Sequence, residues 1–139
     1  MLLKVLLIVV VAVHESSSFT SSSSMQEVFV AWRERTKDDS PRCQSSSGAT
    51  AQEVDGFWQR YEFPKTKSFQ CYLTCLMKAF DFLSVGGNLE GEKLVEGVEK
   101  ITNSASDYCM EKTRGITDEC QKVSEYAFCV VHSTTAFHN

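Results

Sequence analysis

The sequence predicts an all-α domain, and three observations carry that expectation. Apolar residues recur at helical spacing along most of the chain, no stretch alternates long enough to pair as strands, and six cysteines are spread through only 139 residues. Met25, Val28, Phe29 and Trp32 run at i, i+3, i+4 and i+7, and Val54, Phe57, Trp58 and Tyr61 repeat the pattern until Phe63-Pro64, where proline disfavours helical geometry in the residue before it. Phe69, Leu73, Leu76, Phe80 and Leu83 make a third stripe, closed by Gly86-Gly87. Leu94, Val98 and Ile101 make a fourth after the turn at Gly87-Asn88. A fifth helix is expected over 105–114 with Gly115 as its C-cap, and a last one opens at 117–119 and buries Val123, Tyr126, Ala127 and Val130. The serine tracts at 21–24 and 45–47 are read as flexible connections.

The chain opens with a lysine at position 4 inside an otherwise apolar stretch over 2–13, followed by His14, Glu15 and serines. That order describes a signal peptide over 1–18 with cleavage between Ser18 and Ser24, and the apolar stretch falls short of the ~20 residues a membrane span needs. No later segment is apolar for long enough either, so the expected product is one secreted domain over 25–139. A net charge of −4 argues against nucleic acid, which demands clustered Lys and Arg. There is no internal repeat and no Asn-X-Ser/Thr acceptor.

Six cysteines in a short exported chain read as a disulfide framework, with 15 pairings open in principle. Cys71 and Cys75 sit one helical turn apart and are better placed to staple other segments than each other. Cys120 and Cys129 on one helix lie ~13 Å apart, beyond disulfide reach. Zinc held by Cys71, Cys75 and His132 or His138 is disfavoured, because structural sites prefer tighter cysteine pairs and reduced thiols; no metal and no cofactor is expected. No Gly-X-Ser-X-Gly or His-Glu-X-X-His motif is present, and the two histidines beyond the signal segment lie near the C-terminus, so no enzyme is expected.

The gaps between successive cysteines are 27, 3, 33, 10 and 8 residues. This spacing resembles the six-cysteine signature of the insect odorant-binding and pheromone-binding protein family. Tyr61-Glu62-Phe63-Pro64 ahead of Cys71-Tyr72-Leu73-Thr74-Cys75 is similar to the segment carrying that family's second and third cysteines, and Gly87-Asn88-Leu89 with Glu92-Lys93-Leu94-Val95 is similar to its turn into the fourth helix. The likeness spans about residues 25–137. It implies the pairs Cys43–Cys75, Cys71–Cys120 and Cys109–Cys129, and a compact six-helix bundle around an apolar cavity. Two departures matter. The 33-residue gap is short for the family and should trim the fourth helix or its loops, and Pro41 puts the first cysteine at a helix break or on a short separate turn.

The resemblance further implies reversible carriage of a small hydrophobic ligand, with a chemosensory receptor or a second copy as protein partner. Burying apolar ligand surface yields ~25 cal/mol per Å², so micromolar binding, about 8 kcal/mol, needs only an apolar cavity. Such a cavity, of roughly a few hundred Å³, costs stability that disulfides help to offset. The expected wall is Leu73, Leu76, Met77 and Phe80, then Leu94 and Val98, then Tyr126 and Val130, with Phe137 from the tail. Met77 would adapt to varied shapes, and the Tyr126 hydroxyl would serve a polar head group. Protonation of His132 and His138 near pH 6 would loosen the tail. Two other functions compete: a salivary-type scavenger of amines or lipids on the same fold, needing an inward carboxylate such as Asp81, Glu111 or Glu125, and a saposin-like lipid-interacting protein, whose cysteine spacing fits less well.

Overall fold

A computed structural model describes residues 23–133. The signal segment, Phe137 and His138 lie outside the described residues. Within them the chain forms seven α-helices: α1 (Met25–Arg35), α2 (Ser40–Ser47), α3 (Ala51–Arg60), α4 (Lys67–Ala79), α5 (Gly91–Gly97), α6 (Asn103–Thr113) and α7 (Glu119–His132). The helix added to the six expected is α2, which carries Pro41 in its first turn, where a missing N–H costs nothing, and holds Cys43 apart from α1. The serines at 45–47 are its last turn rather than a flexible connection, and Gly48 ends it at φ 77°.

Helix starts follow local chemistry. Ser24, Thr50, Thr66, Thr102 and Asp118 each accept a backbone N–H of the first turn, and Ser24 with Glu27 and Thr50 with Glu53 complete reciprocal capping boxes. Helix ends depart more from expectation. The stripe through Phe80 and Leu83 is not one helix: α4 stops at Ala79, and Asp81 adopts φ 60°. The Asp81 N–H bonds the Lys78 carbonyl and the Phe82 N–H the Met77 carbonyl, both at 3.0 Å, which is the Schellman pattern with aspartate in glycine's usual place. Leu83 then pairs with Leu89 in an isolated antiparallel bridge around a turn in which Gly87 takes φ 78°. Val98 caps α5 and Ile101 lies beyond it, so that stripe is helical only through Leu94. Gly115 is not the C-cap of α6; Arg114 fills that position in right-handed geometry.

Three disulfides join Cys43 to Cys75, Cys71 to Cys120 and Cys109 to Cys129, with Cα separations of 5.5, 4.8 and 5.7 Å. They link α2 to α4, α4 to α7, and α7 to α6, which are also the three most extensively packed helix pairs. The buried residues fall into two clusters. One gathers Phe29, Phe57, Trp58, Phe69, Tyr72, Leu73 and Leu76; the other gathers Phe82, Leu89, Leu94, Ile101, Val123, Tyr126 and Val130. Trp32 packs against both, marking the seam between them.

Candidate ligand-binding cavity

At that seam lies an apolar cavity of about 130 Å³, smaller than the few hundred Å³ expected. Helix α4 contributes Leu73, Leu76 and Met77 to its wall, and Phe80 and Phe82 come from the segment around and beyond the Schellman turn. Leu94, Val98 and Ile101 come from α5 and its exit, and Tyr126, Ala127, Val130 and Val131 from α7. The opposite side is aromatic: Phe29 and Trp32 on α1, Phe57 and Trp58 on α3, and Phe63 beyond it, with Val28 and Thr36 filling between. Leu73, Leu76, Met77, Phe80, Leu94, Val98, Tyr126 and Val130 therefore border one space. The stripes of α1 and α3 are not part of the expected wall, although both are visible in the sequence; only packing decides which stripe meets a cavity. Phe82 has no periodic signal at all, because it reaches the lumen from non-helical backbone. Phe63, Met77, Phe80, Val98, Ala127 and Val131 stay half-buried, which locates the side where the cavity comes nearest solvent.

The polar groups on this wall are all engaged. Trp32 Nε1 donates to Glu99 Oε2 at 2.9 Å, and Glu99 Oε1 accepts from Arg35, whose guanidinium also lies 4.9 Å from the Trp32 ring centroid. Trp58 Nε1 donates to the Tyr72 hydroxyl at 2.9 Å, and that hydroxyl is 2.7 Å from Ser40 Oγ. Thr36 Oγ1 donates to the Trp32 carbonyl at 2.9 Å. The Tyr126 hydroxyl sits 2.9 Å from Ser106 Oγ, so it is committed away from the lumen instead of offered to a head group. Burial pushes the phenols of Tyr126 and Tyr72 above their usual range, the hydrogen bonds opposing this only in part, and both stay neutral at physiological pH. Among the described residues no buried side-chain nitrogen or oxygen lacks a partner.

Among the described residues no carboxylate lines the cavity. Asp81 is at the surface, paired with Lys93 at 2.8 Å, and Glu111 is paired with Arg114 at 3.0 Å. At the end of α7 the exposed His132 ring lies 4.3 Å from Phe128 and 6.0 Å from Phe63, a wall residue. Among the described residues no group of three or more His, Cys, Asp or Glu is placed to hold a metal ion, and no helix is long and apolar enough to cross a membrane.

The model of the PBP/GOBP family matches residues 26–133. The chain belongs to that family. No curated protein and no solved structure matches it. Membership makes this PBP/GOBP protein one of a family of small odorant- and pheromone-binding carriers, secreted and extracellular, for which binding and not catalysis is the known role. Its six cysteines, all in disulfides, fit the family's six-cysteine type.

Proposed function

We propose that the protein is a secreted carrier that reversibly binds a small apolar molecule in the cavity between α1, α3, α4, α5 and α7. The observation that carries this reading is an apolar space bordered by both core clusters and flanked by a cross-linked frame. A bound apolar guest would cover carbon surface of this space and withdraw its own from water, a gain of ~25 cal/mol per Å² buried. The absence of a carboxylate among the described wall residues disfavours an ammonium ligand, since a desolvated cation would meet no counter-charge from them.

Calorimetric titration of the oxidised protein with small volatile hydrocarbons tests the proposal. Saturable binding is expected, and it should weaken at least about tenfold in Val98→Trp, whose indole enters the lumen from the half-buried rim. Helical circular dichroism and the three disulfides should be retained in that variant. Absence of binding, or binding indifferent to Val98→Trp, would sink the reading.

A further inference from the structure

We infer that the cavity selects small hydrocarbons lacking any hydrogen-bonding group and rejects alcohols, carboxylates and amines of the same size. This rests on the carrier reading and narrows it to a ligand class.

Four of the described wall residues carry a polar side-chain group, and each spends it outside the lumen. Trp32 donates to Glu99, Trp58 to Tyr72, Thr36 to a main-chain carbonyl of α1, and Tyr126 pairs with Ser106. Glu99, Tyr72 and Ser106 are not themselves on the wall, and the surface facing the lumen is carbon almost throughout. A polar group on a guest would meet no partner among the described residues of the wall. At about 130 Å³ the lumen is close to the roughly 150 Å³ of an apolar cavity that takes a single benzene, so away from the half-buried rim a guest of one ring leaves no room for water beside it. A guest's polar group lodged away from that rim would be stripped of its hydration.

The same wall favours the hydrocarbon positively. Rings of Phe29, Trp32, Phe57, Trp58, Phe80 and Phe82 border the lumen, with the Met77 thioether among them. Ring edges and faces complement an unsaturated or aromatic guest, and sulfur adapts to its edge.

The lumen should therefore behave like an alkane phase toward a hydroxyl. Losing hydration without compensation weakens binding by hundreds of fold or more, whereas a phase able to hydrogen-bond limits the loss to about thirtyfold. The experiment is a matched titration of the oxidised protein with ethylbenzene, 2-phenylethanol, phenylacetate and phenethylamine, read by calorimetry and by the fluorescence of Trp32 and Trp58. Ethylbenzene should saturate, and the three polar analogues should each bind more than about thirtyfold more weakly. Met77→Gln, which brings an amide to the wall at similar length, should shrink the alcohol penalty by about tenfold; Val98→Thr at the half-buried rim serves the same purpose if the first variant folds poorly. Ethylbenzene binding with any polar analogue within thirtyfold overturns the inference and leaves the carrier standing. A penalty unmoved by both substitutions also overturns it, since its origin would then lie in the ligand and not in the wall. Binding of none of the four overturns both.

Discussion

At Asp81 the backbone turns through φ 60° to end α4, in a position where glycine is the usual occupant. The short polar side chain makes that tolerable, and its carboxylate reaches Lys93 at 2.8 Å, but an exposed pair of this kind contributes little. Asp81→Gly should therefore leave stability unchanged or raise it by about 0.5–1 kcal/mol in chemical denaturation. A loss above that size would mean that the Lys93 pair matters more than the backbone does. The turn redirects the chain so that Phe82 faces the cavity while Leu83 and Leu89 close the neighbouring core, and this change of direction gives the left-handed residue its structural purpose. Tyr126 makes a related point. Its place on an apolar stripe was legible, but the direction of its hydroxyl depended on Ser106, twenty residues away on another helix.

Helix starts are coupled to one another through caps. Thr66 caps α4 by accepting from the Phe69 N–H and donates its own hydroxyl to Glu53, the carboxylate of the α3 capping box. The Thr66 hydroxyl, together with the smaller effect of the Thr50 N–H, holds the Glu53 carboxyl below its ordinary range. A group with a depressed pKa adds stability that is complete above its unfolded value, near 4.3, and is lost as pH falls through the folded one. Glu53→Gln should lower the midpoint of thermal unfolding at pH 7, by an amount corresponding to about 0.5–1 kcal/mol, and differ little from the natural chain near pH 2. A deficit constant across that range would refute the assignment. Asp118, the N-cap of α7, shifts the same way, chiefly through its hydrogen bond from Lys67 at the start of α4. Ser, Thr or Asp three residues ahead of the bonded N–H is a local signal, but at Ser24 it lies inside a serine tract that reads as a flexible connection. The end of α4 carries no such signal, since Asp81 stands where no glycine announces a stop, whereas Gly115, one residue beyond the C-cap of α6, marks that end to within a residue.

Across the molecule the disulfides build a linear frame, α2 to α4 to α7 to α6, while α1, α3 and α5 join it without a covalent tie. The cavity lies between the central pair of that frame and the three untied helices. The Cys71–Cys120 bridge closes the longest sequence separation, 49 residues, and joins the two helices that support one side of the lumen. Replacing both cysteines by alanine should cost about 2–4 kcal/mol in denaturant unfolding and weaken ethylbenzene binding as the α4–α7 wall loosens. Retention of both stability and affinity would show that packing alone holds those helices.

Helical periodicity and cysteine spacing act over a few residues to a few turns, and they determined the all-α class and the need for cross-links. Spacing excluded some cysteine pairings without choosing among the rest, and it was the family likeness that supplied a choice. Only the tertiary structure decided that α1 and α3 share the cavity wall, that Phe82 enters it from a turn, and that its volume is about 130 Å³. The physical reason is that an apolar stripe records which side of a helix avoids water. What that side meets instead, another side chain or an empty space, depends on segments distant in the chain.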